Sequence, residues 1–137
     1  SLITTESEAK RLGLKPMARL VSWASVGCEP KIMGIGPAGA IRLALKKANL
    51  ELKQMNLVEV NEAFAAQYLS VEKELGLNRE ITNSNGGAIA VGHPLGASGT
   101  RIMNHLVYEL QRRQGQYAVG SACIGGGQGI AVVIERM

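Results

Sequence analysis

Residues 83–101 read Asn-Ser-Asn-Gly-Gly-Ala-Ile-Ala-Val-Gly-His-Pro-Leu-Gly-Ala-Ser-Gly-Thr-Arg and form a glycine-rich loop between two apolar segments. Glycine loses more conformational freedom on folding than any other residue, so this loop must need backbone angles or close approaches that a side chain would forbid. His93, one of two histidines in the chain, lies in the middle of the loop. We therefore predict that the loop carries the functional site and that the flanking segments hold it in place.

Segments with helical and strand patterns alternate on both sides of the glycine-rich loop. Apolar residues are predicted to face inward, among them Phe64 in the third helix and Leu106 in the fourth. The predicted helices cover residues 5–12, 37–48, 62–75 and 99–113, and the predicted strands cover residues 19–26, 57–60, 81–85, 117–123 and 129–135. This order predicts one α/β domain over residues 1–137, layered α/β/α, with a mixed, mostly parallel sheet and one antiparallel edge.

Composition and charge exclude several classes of protein. The chain has 137 residues, is 46% hydrophobic and contains no apolar run near the ~20 residues of a membrane span. Its net charge is +4, but the basic residues form separated pairs, and one Trp, one Phe and three Tyr leave little to stack on bases. We expect neither a membrane nor a nucleic acid as partner, and a polyphosphorylated small molecule suits the mildly basic charge.

The two cysteines, Cys28 and Cys123, belong to no CxxC motif or Cys/His cluster. This spacing argues against a zinc site and against a disulfide-stapled secreted domain, so we expect no metal and a reducing compartment. The chain begins at Ser1 with no leader-like segment, so either a targeting segment has been removed or the chain is a piece of a longer protein.

Gly34-Ile-Gly-Pro-Ala-Gly39 matches the GxGxxG pattern of dinucleotide-binding folds. In those folds the glycines follow a strand directly, whereas here Cys28-Glu-Pro-Lys31 comes first. Pro37 also lacks the N–H that a helix start would offer to a pyrophosphate. We interpret this segment as a loop that leads into a helix.

Asn61, His93 and Cys123 are the candidate functional residues, and each also has a purely structural interpretation. Asn61 opens a helix, where a cap alone is worth ~1 kcal/mol, but it also follows a strand end, where α/β sheets place their sites. A lone histidine is more often structural, as we expect for His105, yet a histidine on a glycine-rich loop suits a proton carrier. Cys123 at a strand end is either a small hydrophobe or a reactive thiol beside the donor-rich turn Ile124-Gly-Gly-Gly-Gln128.

Three motifs together resemble the signatures of the C-terminal half of a thiolase. They are Asn61-Glu-Ala-Phe-Ala65, Gly92-His-Pro-Leu-Gly-Ala-Ser-Gly99 and Cys123-Ile-Gly-Gly-Gly-Gln-Gly129, and the likeness includes Gly34-Ile-Gly-Pro37. Within the family, residues 60–68 and 117–123 are most similar to the mitochondrial 3-ketoacyl-CoA branch, with the acetoacetyl-CoA branch close behind.

The resemblance implies acyl transfer between a 3-ketoacyl-CoA and CoA, giving acetyl-CoA and a shortened acyl-CoA, as in fatty acid β-oxidation, or the reverse condensation. Coenzyme A is then a substrate and no cofactor is needed. Thiolases carry their nucleophilic cysteine in an N-terminal half that this chain lacks, so we expect the chain to be inactive alone and prone to self-association. The resemblance also implies a homodimer or homotetramer for the full-length protein, located in mitochondria or alternatively in the cytoplasm.

The same resemblance implies a role for individual residues. His93 matches the histidine that activates the nucleophilic thiol and binds the enolate oxygen, and Asn61 matches the residue that holds a water beside it. Cys123 matches the cysteine that protonates the departing enolate and deprotonates the incoming CoA. The N–H of Gly125 matches a donor to the tetrahedral oxyanion. Three further positions match residues that line the pantetheine or acyl channel: Met33, Ala63 and Phe64.

Two other functions stay open at this point. A β-ketoacyl carrier-protein synthase shares the fold, but its usual Cys-His-His or Cys-His-Asn set is disfavoured by the single candidate histidine and the second cysteine. A non-catalytic thiolase-like module for lipid or protein binding predicts that His93→Ala and Cys123→Ala leave function unchanged.

Overall fold

The computed structural model describes every residue from Ser1 to Met137. The helices are α1 (Glu6–Arg11), α2 (Gly36–Ala48), α3 (Ala65–Leu75), α4 (Ala88–Val91) and α5 (Ser98–Arg113), and the strands are β1 (Ala18–Gly27), β2 (Leu57–Val60), β3 (Tyr117–Ile124) and β4 (Gln128–Arg136). Short 3-10 helices cover Pro30–Ile35 and Leu52–Gln54. The strand predicted at 81–85 is reduced to one parallel bridge between Val58 and Thr82. None of the helices has the length and apolar character needed to cross a membrane.

The four strands form one sheet in the order β1-β4-β3-β2. Strand β4 is antiparallel to both β1 and β3, whereas β2 is parallel to β3. Strands β1, β2 and β3 therefore run in one direction, and the sheet is mixed as predicted, but two of its three strand pairings are antiparallel. The predicted antiparallel edge is wrong, because the hairpin that follows β3 places β4 between β3 and β1.

Helices cover both faces of the sheet, which confirms the α/β/α layers. On one face, Ile41 of α2 and Val71 of α3 pack with Val133 of β4 in the larger core cluster. On the other face, Leu106 of α5 packs with Leu57 of β2 in the smaller one. Because side chains alternate along a strand, Glu59 of β2 and Asn61 just after β2 lie on the same face as Leu57, toward α5.

Glycines allow the start of α2 to touch β4 backbone to backbone. A Cβ atom on Gly129 would lie 2.1 Å from the carbonyl carbon of Gly36, and one on Gly36 would lie 2.4 Å from the carbonyl oxygen of Gln128. The GxGxxG pattern therefore serves helix packing, since Gly36 is the first residue of α2. The segment leads into a helix as predicted, but its first two residues belong to the 3-10 helix Pro30–Ile35 and the other four to α2, so the predicted loop is wrong.

Replacing Gly129 with alanine is expected to lower the free energy of unfolding by about 3 kcal/mol or more, because two backbones must separate to admit the methyl group. The matched control is Gly27→Ala at the end of β1, where a Cβ atom would meet nothing within 4 Å. That change is expected to cost less than about 0.5 kcal/mol. Equal effects of both changes in urea unfolding would contradict the role given to this contact.

Candidate active site

Strands β2 and β3 bring two of the three candidate residues to one edge of the sheet. The two strands are parallel, with Val60 opposite Ser121, so both end at the same edge. Asn61 follows β2 directly, and its backbone N–H donates to the carbonyl oxygen of Ser121 at 2.9 Å. Cys123 lies two residues further along β3. Asn61 and Cys123 therefore share the carboxyl edge, as the sequence predicts.

His93 reaches the same edge from the glycine-rich loop. Gly92 has a φ of +93°, an angle that favours glycine and turns the chain out of α4 into His93. The Nδ2 atom of Asn61 lies 3.3 Å from Nε2 of His93. The Asn61 side chain is buried while His93 is exposed. The structure thus brings a buried amide and an exposed imidazole into contact.

Asn61 and Ser98 together indicate which nitrogen of His93 carries the proton. The Nδ2 group of Asn61 that faces Nε2 can only donate, which places the lone pair of the neutral imidazole on Nε2 and the hydrogen on Nδ1. The Ser98 oxygen lies 2.6 Å from Nδ1 and accepts this hydrogen, while its hydroxyl donates to the carbonyl oxygen of Pro94 at 3.1 Å. The arrangement presents a proton acceptor at the open edge of the sheet.

Glu62 anchors the first half of the glycine-rich loop. Its carboxylate accepts from the backbone N–H of Ile89 at 3.0 Å and from Nδ2 of Asn83 at 2.9 Å. A Cβ atom on Gly87 would lie 2.3 Å from the Glu62 carboxyl carbon, so a larger residue there would displace this carboxylate. Two loop glycines, Gly86 and Gly92, have positive φ. The predicted need for unusual backbone in this loop is confirmed at these positions.

Cys123 is half-buried near the end of β3. Burial raises the pKa of its thiol above the ordinary 9.0, and the nearby Cys28 acts in the same direction. The group is therefore a thiol at neutral pH, and its thiolate is a stronger base than a free cysteine. Such a thiol suits an acid that becomes a base in the following step.

The turn after Cys123 carries an unpaired backbone donor. The N–H of Gly125 donates to no backbone carbonyl of the chain, and the residue is exposed. Gly126 and Gly127 have φ of +87° and +91°, which makes the tight return into β4 possible. Gly127 is also fixed against the end of β1, since its carbonyl oxygen accepts from the N–H of Cys28 at 2.8 Å. The Gly125 N–H is thus held on a rigid turn and is free to bind an oxyanion.

The predicted channel residues lie in two neighbouring segments. Met33 is half-buried in the 3-10 helix Pro30–Ile35, and Ala63 is half-buried after β2. Phe64 was predicted to face inward, which is wrong, because α3 begins at Ala65 and the Phe64 side chain is 64% exposed. An exposed aromatic residue beside a polar site suits contact with a ligand or with another domain.

Sequence reasoning missed Glu62 and Ser98 as site residues. Both lie inside the quoted motifs, Glu62 next to Asn61 and Ser98 five positions after His93. A serine at a helix start and a glutamate after a strand are ordinary capping residues, so their residue types gave no separate signal. Elsewhere, no group of three or more His, Cys, Asp or Glu side chains lies where it could hold a metal ion.

Comparison with known proteins gives a consistent result. Residues 14–136 match the family model described as "Thiolase, C-terminal domain". The chain is 63% identical to mitochondrial 3-ketoacyl-CoA thiolase of Homo sapiens over 98% of its length and 34% of that protein. It is 51% identical to an acetyl-CoA acetyltransferase of Shinella zoogloeoides over 100% of its length and 35% of that protein.

Solved structures agree with the sequence relatives. The crystal structure of human mitochondrial 3-ketoacyl-CoA thiolase in complex with CoA superimposes with a TM-score of 0.95 at 64% identity, over 96% of this chain and 34% of that one. The chain thus spans about a third of the length of the curated relatives it matches. Since the family model covers residues 14–136, the chain belongs to the thiolase family as its C-terminal domain.

Proposed function

We propose that this chain supplies one half of the active site of a thiolase that transfers an acyl group from a 3-ketoacyl-CoA to CoA. The observation that carries the proposal is the hydrogen-bonded row Asn61–His93–Ser98, which presents a basic ring nitrogen at the edge where β3 delivers Cys123. The relatives named mitochondrial 3-ketoacyl-CoA thiolase support this substrate class.

In the first step His93 activates the nucleophile. Its Nε2 lone pair takes the proton of the cysteine thiol supplied by the N-terminal half, and the thiolate attacks the 3-keto carbonyl. The N–H of Gly125 has no backbone acceptor within the chain, and it donates to the tetrahedral oxyanion that this attack forms.

In the second step the bond between C2 and C3 breaks. The acyl group stays on the nucleophilic cysteine as a thioester, and the electron pair leaves as the enolate of acetyl-CoA. The Nε2–H of His93, now protonated, donates to the enolate oxygen together with a water held by Asn61. Asn61 Oδ1 is buried and accepts no hydrogen bond within the chain, so this acceptor is left unpaired. Cys123 then gives its proton to C2 and acetyl-CoA leaves.

In the last step Cys123 works as a base. Its thiolate takes the proton of the incoming CoA thiol, which attacks the acyl thioester and releases the shortened acyl-CoA. His93 returns its proton to the nucleophilic cysteine. Each proton is thus back at its starting place, and coenzyme A is the only additional reactant, with no cofactor required.

Several of the same relatives are named mitochondrial, which supports a mitochondrial role in fatty acid β-oxidation for the full-length protein. We also infer that the full-length protein is a homodimer or homotetramer, as the resemblance to thiolases implies. An acetoacetyl-CoA thiolase is the second candidate, favoured by the acetyl-CoA acetyltransferases that are 51–52% identical.

These 137 residues alone are expected to show no thiolysis, because the nucleophilic cysteine is not among them. Joining them to an N-terminal thiolase half, their own or that of the human relative, is expected to restore turnover; we call this the full-length protein. The assay follows loss of the 3-ketoacyl-CoA absorbance with CoA present. Turnover by the 137 residues, or none by the joined protein, would refute the proposal.

Replacing Ser98 with alanine in the full-length protein is expected to lower kcat by about tenfold or more, because His93 loses the acceptor that fixes its tautomer. Ser98→Thr keeps the hydroxyl and is expected to retain most of the activity. The KM for CoA is expected to change little in both. Equal kcat values for the two variants would contradict the assigned proton arrangement.

A further inference from the structure

Glu59 is a buried carboxylate that the mechanism above does not use. It lies in the middle of β2, its side chain is 0% exposed, and Asn61 follows two positions later on the same face of the sheet. The two side chains are therefore about 6.6 Å apart along the strand. A buried carboxylate costs several kcal/mol unless it is paired, and an apolar residue in its place is often at least as stable. Stability alone therefore does not explain its presence.

Both partners of Glu59 come from α5. Its Oε1 accepts from Nη1 of Arg101 at 2.5 Å, and its Oε2 accepts from Nδ1 of His105. Arg101 lies three residues after Ser98, which holds the His93 ring. The ion pair between Glu59 and Arg101 and the contact between Asn61 and His93 therefore both join the end of β2 to the segment that runs from the glycine-rich loop into α5.

His105 extends the connection to the beginning of the glycine-rich loop. Its Nε2 lies 3.0 Å from Nδ2 of Asn85. Since the Asn85 amide donates, Nε2 accepts and Nδ1 carries the hydrogen that is given to Glu59, so both ring nitrogens have a partner. Asn85 precedes His93 and Arg101 follows it. The two ends of the loop that carries His93 are thus connected to a single carboxylate.

We propose that Glu59 is a positioning residue, which fixes α5 and both ends of the glycine-rich loop against β2 and so keeps His93 in contact with Asn61. The effect that Glu59 is expected to have on activity rests on the proposed function, whereas its expected effect on the loop does not. Glu59→Gln is the direct test, because the amide keeps the shape but offers only one oxygen to two donors. One of the two connections is then lost.

The decisive experiment is a double-mutant cycle in the full-length protein. Glu59→Gln is expected to lower kcat about 10- to 100-fold with little change in KM, since a small misplacement of a reacting group has effects of this size. In a His93→Ala background the same change is expected to lower kcat less than about twofold, because the group it positions is gone. Equal losses in both backgrounds, or no loss in the native background, would overturn the proposal.

A matched control and a second variant complete the cycle. Glu135→Gln breaks the ion pair with Arg19 at the opposite end of the sheet, where β3 begins, and is expected to leave kcat unchanged. If Glu59→Gln does not fold, Asn85→Ala decides the question in the same cycle, because Asn85 is exposed and its loss leaves no buried charge. A wild-type kcat for that variant would then count against the proposal.

Amide hydrogen exchange separates this inference from the proposed function. Exchange over residues 92–99 is expected to be at least about tenfold faster in Glu59→Gln than in the native protein, while the protection of β4 is kept. Faster exchange in a protein without thiolase activity would leave Glu59 as the anchor and refute the proposed function. Unchanged exchange would refute the anchor, whatever the activity.

Discussion

His93→Ala in the full-length protein is expected to lower kcat for thiolysis by about 10³-fold, the middle of the range for a group that transfers a proton in the transition state. His93 is exposed, and its hydrogen bonds are confined to Asn61 and Ser98, so truncation removes no core contact. The unfolding temperature is therefore expected to change little. Steady-state kinetics and thermal unfolding on the same preparation measure both effects.

The control for this change is Leu95→Ala, two positions later in the same loop. Leu95 is 83% exposed and carries no group that could transfer a proton, so its loss is expected to leave kcat within about twofold of the native value. A decrease of less than about tenfold for His93→Ala would exclude proton transfer by this residue and favour a non-catalytic, ligand-binding module.

Cys123→Ala is expected to lower kcat by about 10²-fold or more, because the acid that protonates C2 and the base that deprotonates the incoming CoA thiol are then both missing. Cys123→Ser is expected to be no better, since a hydroxyl keeps the size but does not ionise in the working range. On the alkaline side, kcat of the native protein is expected to fall only above the ordinary thiol pKa of 9.0, because burial favours the protonated form of Cys123. Profiles of kcat against pH for the three proteins test this directly.

The neighbouring cysteine provides the matched control. Cys28 is also half-buried, and its thiol donates to the carbonyl oxygen of Met33 at 3.7 Å. Cys28→Ala is expected to keep at least about half of the native kcat. A loss as large as that of Cys123→Ala would mean that the two thiols have been assigned the wrong roles.

Much of the fold could be predicted because its helices and strands have clear local signals. The α5 pattern of Ile102, Leu106 and Leu110 is a plain amphipathic stripe, and all three side chains are buried. The position of β4 in the sheet could not be predicted in this way. Strand order depends on which distant segments pair, and an apolar strand gives the same local pattern at an edge as in the interior.

The candidate site was predicted as separate residues and not as a network. The motifs named Asn61 and His93, which the structure brings into contact, but nothing local indicated that Ser98 would accept from the ring. Glu59 was passed over inside an apolar strand, and His105 was assigned a merely structural role. Their pairing joins positions 46 residues apart in sequence, so only the folded chain reveals it.

The inserted position of β4 has a consequence for folding. Strand β1 has one hydrogen-bonded neighbour, β4, so two segments that are far apart in sequence must meet before the sheet is complete. Such non-local pairing forms slowly, and until it forms β1 presents an unpaired backbone that chaperones or other chains can bind.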